Sequence, residues 1–509
     1  MTDAYPEPAV RRLITASVMA ATVMNSLDST IANVALPHIQ GSVSASADEI
    51  TWVLTSYIVA AAIMTPLTGW LAGRFGRKRL MLYSIVGFTV VSGLCGLATS
   101  LQELVGFRLL QGIFGAALVP MSQSILLDIN PPERHGSAMS VWGMGAILGP
   151  IIGPALGGWL TDNLDWRWVF YINLPIGILA FVGLTMSLTE TKNAVRARLD
   201  VFGFAMLALS IGSLQLMLDR GQTADWFSSL EVCLEAASAL FFGYLFVVHT
   251  LTADKPFIDL AMFGDRNFLI GCILGFFLGT LLFGVLALLP PMLENLMGYP
   301  VVLTGLVTAP RGMGTLVTMT ASGYLMKRFD TRLLIFVGFG FAAWSMYRMA
   351  HFSLGMDETP VILSGFIQGL GTGLVFVPLA TIAFATLNPI YRNEGAAMFT
   401  LVRNIGSAAG ISILQAMTVR SSSTVHSRLI EGIRPDNPVL TQNAPGFDFS
   451  APEMIAQMNA QITRQASMVS YVDVFWLLFL FTLTIIPLLI LMRGNRQPAD
   501  GETLHLHLD

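Results

Sequence analysis

Long apolar stretches separated by short polar ones organise this chain. A helix needs about 20 predominantly apolar residues to cross a bilayer. The pattern predicts fourteen spanning helices, over residues 13–35, 50–72, 79–100, 104–127, 137–161, 167–188, 200–218, 230–251, 268–290, 301–324, 332–351, 360–386, 396–419 and 470–492. One connection stands apart. Residues 420–469 form a polar loop rich in Ser, Asn and Gln, with Pro435, Pro438, Pro445 and Pro452. Within it, Glu453 to Ser467 has the propensity to extend the last helix outward. A connection of this length is either functional or a passive tether.

The pattern also repeats. Gly69-Trp70-Leu71-Ala72-Gly73-Arg74-Phe75 returns as Gly323-Tyr324-Leu325-Met326-Lys327-Arg328-Phe329. Gln111-Gly112-Ile113 with Pro120 returns as Gln368-Gly369-Leu370 with Pro378, and Gly136-Ser137-Ala138-Met139 as Gly395-Ala396-Ala397-Met398. The copies fall eight helices apart, so the two halves face the same way. The expected class is an all-α integral membrane protein in three parts. Residues 1–190 form a six-helix bundle, 191–266 an inserted helix pair, and 267–509 a second six-helix bundle carrying the long loop 420–469. Parallel halves of this kind are the mark of transporters that rock one half against the other.

Composition sharpens the class. Hydrophobic residues make up 54% of the chain and charged residues 12%, against roughly 25% charged in a soluble domain. A net charge of −4 gives no reason to expect nucleic acid. Arg11 and Arg12 precede a run too long for a cleavable signal, so the first span is expected to stay in the membrane. Of 28 Lys and Arg, eighteen fall on the side of the N-terminus, six on the other side and four inside spans. The positive-inside rule therefore predicts that both termini are cytoplasmic. Cys95, Cys233 and Cys272 lie in apolar segments and read as small hydrophobes.

Charges inside spans are costly and point to a cavity or a partner. Asp28 sits deep in the first span. A carboxylate there that neutralises on protonation sheds a charge penalty and biases a two-state equilibrium; the plainer alternative is a static polar contact between helices. Arg108, in Arg108-Leu109-Leu110-Gln111-Gly112, is a fixed positive charge. It either tunes a carboxylate and holds backbone carbonyls, or snorkels to the interface. Arg311 and Arg403 are the other deep cations, and Arg348 lies near a span end. Met24, Asn25, Asn33, Gln111, Met121 and Gln123 are the candidate polar and soft contacts of a substrate cavity, with helix packing as the alternative. In the fifth span Gly145, Gly149, Gly153 and Gly157 recur every four residues, with Pro150 and Pro154 between them. This is a seam for close helix approach, and the prolines make it a candidate hinge. Between spans two and three, Gly69, Arg74, Gly76, Arg77 and Lys78 belong to a tight cationic turn expected to latch a cytoplasmic gate.

These motifs together resemble the major facilitator superfamily in its fourteen-helix drug:proton antiporter branch. Gly69 to Lys78 is similar to the family's loop between helices 2 and 3, with Gly73 where the family usually has Asp. Arg108 to Gly112 resembles its fourth-helix motif, whose arginine is implicated in proton coupling. Gly145-x-x-x-Gly149-Pro150-x-x-Gly153-Pro154 resembles its fifth-helix antiporter motif. Leu27-Asp28-Ser29-Thr30-Ile31-Ala32-Asn33-Val34-Ala35-Leu36-Pro37 resembles the first-helix motif of the branch. The stretches Gly212 to Gly221 and Asp225 to Ser229 resemble EmrB-type permeases. The resemblance implies the major facilitator fold, with Asp28 as a proton or substrate-cation site. It also implies a bacterial inner membrane, and an assembly with a periplasmic adaptor protein and a TolC-type outer-membrane channel.

No GxxxxGK[ST] loop occurs, so ATP does not drive the protein directly, and no HExxH or similar metal spacing is present. The chain is expected to be a secondary transporter with no cofactor beyond a proton gradient. Its expected partners are protons, membrane lipid and hydrophobic or amphipathic small molecules. The alternatives are a dedicated exporter of one metabolite, siderophore or fatty acid, or a membrane receptor that moves nothing.

Overall fold

The structure is a computed structural model and describes residues 5–190, 199–434 and 450–493. The linker opening the inserted part at 191, and Pro435, Pro438 and Pro445 of the long connection, lie outside the described residues. Helices follow one another in the predicted order. The first half holds α1 (Pro8–Val43), α2 (Trp52–Met64 and Leu67–Phe75), α3 (Arg77–Leu97), α4 (Leu101–Asp128), α5 (His135–Asn163) and α6 (Trp168–Ser187). The inserted pair is α7 (Val201–Arg220) and α8 (Leu230–Thr252). The second half holds α9 (Arg266–Pro291), α10 (Val301–Arg328), α11 (Thr331–Met349), α12 (Thr359–Ala385), α13 (Arg392–Glu431) and α14 (Pro452–Ile485). Among the described residues, ten helices are long and apolar enough to cross a membrane, and the bent α2 makes an eleventh. The remaining three are α1, α10 and α11. Polar side chains dilute α1 and α10, but many of these are buried against other helices: Ser17, Thr22 and Asp28 in α1, and Thr304, Arg311, Thr315, Thr318 and Ser322 in α10.

Local chemistry sets the boundaries. Ser100, Asp200, Asp265 and Asp330 cap α4, α7, α9 and α11 by accepting backbone N–H groups of the first turn, which satisfies donors the helix itself cannot. Pro66, which lacks an N–H, stands at the 59° bend of α2. Gly76 ends α2 at φ +89°, with the Glu190 carboxylate where a Cβ would sit. Only glycine suits both conditions.

The repeat seen in the sequence is a repeat of close contacts. In the first half Gly112 of α4 rests on the Tyr57 carbonyl of α2; in the second, Gly369 of α12 rests on the Arg311 carbonyl of α10. Likewise α1 packs along α5, and α9 along α13. The inserted helix α7 lies on α2, where Thr55 donates to Asp219 and the Arg220 guanidinium stands 5.3 Å from the Trp52 ring centroid. It also reaches the second half, because Ser412 of α13 donates to the Leu218 carbonyl.

The expected loop at 420–469 is corrected at its first end, while the expected outward extension of the last helix over Glu453 to Ser467 is present. The helix α13 continues to Glu431 and α14 starts at Pro452, so both ends of that stretch are helical. They pair as a hairpin through Ser421 to Asp473 (2.8 Å), Ser422 to Ser467 (3.3 Å) and His426 to Asn459 (3.1 Å). The polarity that marks this stretch as a loop is that of helices surrounded by polar solvent. Backbone hydrogen bonding continues there while the apolar requirement of the membrane lapses.

Candidate functional site

Two regions carry the predicted chemistry: a polar centre inside the first half, and the seam between the halves. The centre forms around Asp28, 0% exposed on α1. One of its oxygens accepts from Arg108 Nη1 at 2.6 Å; the other accepts from Gln111 Nε2 and Asn173 Nδ2, each at 2.9 Å. Arg108 Nη1 also reaches Gln111 Oε1 at 2.8 Å, and Nε donates to the Val53 carbonyl at 3.1 Å. Its guanidinium carbon lies 4.3 Å from the Tyr57 ring centroid. Asn173 also donates to Ser92 Oγ at 3.0 Å, which donates to the Phe170 carbonyl at 2.8 Å. Five helices, α1, α2, α3, α4 and α6, therefore converge on one buried ion pair. Charges removed from water need a partner and further hydrogen bonds, and this pair has both.

Arg108 thus turns inward, and the snorkelling alternative is excluded by its 0% exposure. The sequence does not single out Asn173, Ser92 or Tyr57. The available signal is weak: an Asn or Ser within an apolar span is common, and only the fold shows which of them reach a charge.

The candidate cavity residues separate. Met24, Gln111, Met121 and Gln123 are fully buried in the first bundle. Asn25 donates to Tyr57 Oη (3.0 Å) and the Gly115 carbonyl (3.3 Å). Asn33 alone of the six is exposed.

The glycine face of α5 meets α1 along its length. Met19 fills the space beside Gly145, the Ser26–Leu27 backbone that beside Gly149, Thr30 that beside Gly153 and Ile31 that beside Gly157. Thr30 also donates to the Gly149 carbonyl at 3.2 Å. The seam therefore grips α1 on both sides of Asp28. Pro150 and Pro154 lie inside a helix that continues through them; Pro150 is half-buried and Pro154 exposed.

At the side of the chain's N-terminus, the near side, the two halves meet. Asp128 at the end of α4 pairs with Arg77 of its own half and with Arg392 of α13 at 3.0 Å. Ser124 donates to Asn393 at 2.6 Å. Gly69 lies against Glu394, whose Cγ would be 2.8 Å from an added Cβ. Gly323 of α10 faces the Ser137 backbone of α5, and deeper in, Gly312 faces Ile151. Lys78 instead holds the Thr185 carbonyl of its own half at 2.9 Å, Arg74 is exposed, and the space beside Gly73 is open. Towards the far side, Asn33, Ile152 and Trp159 are exposed.

The family model of the Major Facilitator Superfamily matches residues 18–411. The chain is 38% identical to the multidrug export protein EmrB of Escherichia coli (strain K12), covering 91% of this chain and 92% of that protein. It is 35% identical to the fatty acid resistance protein FarB of Neisseria gonorrhoeae, covering 96% and 97%. Among solved structures it is similar in fold to the proton:xylose symporter XylE, with a TM-score of 0.59 at 15% identity, covering 94% of this chain and 96% of that one.

Proposed function

The chain belongs to the Major Facilitator Superfamily, among its EmrB-type permeases, and on that premise we propose that it exports amphipathic and hydrophobic drugs in exchange for protons. It is a multi-pass membrane transporter and not an enzyme. The observation that carries proton coupling is the ion pair of Asp28 and Arg108, sealed from solvent, with α1 gripped by the α5 seam on both sides of Asp28. A proton arriving at Asp28 cancels the attraction that holds Arg108. The guanidinium then stands unneutralised in a low-dielectric interior, and the bundle relaxes towards an arrangement that hydrates or re-pairs it. Because Gly149 touches α1 at Ser26–Leu27, a shift of α1 displaces α5, which packs against α10 of the second half.

In this proposal the protein has fourteen spans, lies in the bacterial inner membrane and has its near side and both termini in the cytoplasm. The closed near-side seam then corresponds to an outward-facing arrangement. The helical hairpin of α13 and α14 projects into the periplasm, where it meets an adaptor protein joined to a TolC-type channel. The experiment is substrate-dependent proton movement in proteoliposomes. Wild type releases protons when drug is added on the cytoplasmic face and Asp28→Asn does not; equal release by both rejects coupling through Asp28. A narrower exporter of fatty acids is the second reading, favoured by the similarity to the FarB protein, and a substrate panel separates the two.

A further inference from the structure

Arg403 lies on α13, facing the seam, with 8% of its surface exposed. Its guanidinium carbon is 5.3 Å from the Phe376 ring centroid of α12 and 5.9 Å from the Trp142 ring centroid of α5. The two rings stack at 5.5 Å. Among the described residues no carboxylate and no hydrogen-bond acceptor meets this side chain, and Nη1 is buried without a partner. Two more buried polar groups beside it are unpartnered: the indole N–H of Trp142, and the hydroxyl of Thr400, one helical turn away. A guanidinium and an indole N–H only donate, and the hydroxyl can donate. Leaving such groups unpaired in an interior is costly. All three would be satisfied by the same kind of group, an acceptor-rich, negatively charged head group, beside a wall of aromatic rings that suits an apolar body.

We propose that Arg403, Thr400 and Trp142 form the head-group subsite for lipophilic organic anions, such as aryl carboxylates and sulfonates. Trp142 belongs to the first half, whereas Arg403, Thr400 and Phe376 belong to the second. Parting of the halves at the near side lifts Trp142 from Arg403 and offers the guanidinium to a ligand; closure returns the indole N–H to the bound anion. The subsite rests on the exporter reading for its direction of use, but its chemistry needs no gradient.

The test is equilibrium dialysis against the full chain in phosphatidylcholine nanodiscs, corrected for empty discs and run without a proton gradient. Two dyes share one ring skeleton: anilinonaphthalene sulfonate is anionic, and phenylnaphthylamine is neutral. Arg403→Gln is expected to weaken the anionic dye by about tenfold or more, the scale of a charge-assisted hydrogen bond, and the neutral dye by less than about twofold. Arg403→Lys is expected to keep most of the anion affinity. If Arg403→Gln fails to fold, Thr400→Val, which removes the unpaired hydroxyl while keeping the shape, is expected to weaken only the anionic dye by about threefold or more. Equal loss of both dyes, no loss of either, or no binding of either by wild type overturns the subsite. Failure of Asp28 to move protons leaves these binding results untouched, so the two ideas fall separately.

Discussion

In the first half the buried guanidinium of Arg108 meets a carboxylate; in the second, those of Arg311 and Arg403 meet none among the described residues. The halves share a fold, so positions can be compared. Gly112 touches the Tyr57 carbonyl as Gly369 touches that of Arg311. Tyr57 and Arg311 are therefore counterparts, and the offset that maps Gln111 onto Gln368 maps Arg108 onto Gly365. In the second half the cation has moved to the neighbouring helix, and α9, the counterpart of α1, carries no carboxylate between Arg266 and Pro291. Arg311 settles for the Leu282 carbonyl at 2.6 Å. One half thus holds a closed ion pair, and the other holds buried positive charge that no carboxylate among the described residues neutralises. On the proposals above, proton handling falls to the first half and charge selection to the second.

The largest expected effect comes from breaking the ion pair. Asp28→Asn leaves Arg108 buried and uncompensated, which costs about 3–5 kcal/mol. Dye efflux is expected to fall to background, with a lower unfolding temperature in detergent. Adding Arg108→Gln is expected to recover stability and not efflux. Normal uncoupler-sensitive efflux by Asp28→Asn removes the first half's claim to the proton.

The two helix seams sharpen the comparison next. Gly149→Leu drives a side chain into the Ser26–Leu27 backbone, at a cost of roughly 1–3 kcal/mol of packing energy. The matched change in the second half, Gly406→Leu, meets the Phe276 backbone. Both are expected to lower stability, but only Gly149→Leu displaces the helix bearing Asp28, so its efflux loss exceeds its stability loss. Ile151 is not a neutral control, because it reaches across to Gly312; Ile152→Leu, 45% exposed, is. Equal efflux losses for the two glycine variants argue against the asymmetry.

A smaller effect is expected at the near-side closure. Asp128→Asn leaves Arg77 and Arg392, one from each half, facing each other unneutralised. Partly exposed pairs of this kind contribute up to about 1 kcal/mol. A single cysteine introduced at Ser124 is expected to react with an impermeant maleimide roughly twofold faster or more in the variant, in inside-out vesicles. Unchanged labelling means that the apolar contacts around Gly323 and Gly312 close the seam alone.

The least effect on the fold is expected at the hairpin. Replacing residues 425–462 with a short Gly/Ser linker leaves both bundles intact, so dye binding in detergent is retained. Resistance in cells and cross-linking to an adaptor are expected to fall. Unchanged values for both turn attention to α7 and α8.

Much of the architecture was legible in the sequence. Apolar length marks helices because a bilayer offers the backbone no hydrogen bonds, and four-residue glycine spacing keeps one helix face open. The positions of Asp28 and Arg108 within spans marked them as unusual for the same reason. Less legible was the hairpin: propensity marked the helix from Glu453 to Ser467, but the polar sequence around 420–431 concealed the continuation of α13. The cavity residues were not legible either: a methionine such as Met24 or Met121 suits a core and a binding surface equally well.

By itself, then, the sequence determined the helical order, the parallel repeat, the glycine seam and the cost of each intramembrane charge. These depend on local chemistry: hydropathy, spacing and propensity within one segment. Tertiary structure alone decided which charges are paired. Asp28 and Arg108 are eighty residues apart in the chain and 2.6 Å apart in space, whereas Arg403 lies beside Trp142 of the other half and, among the described residues, no carboxylate. Pairing is settled by how helices distant in sequence turn their faces to one another, and a polar residue's spacing within its own helix carries no record of what stands opposite.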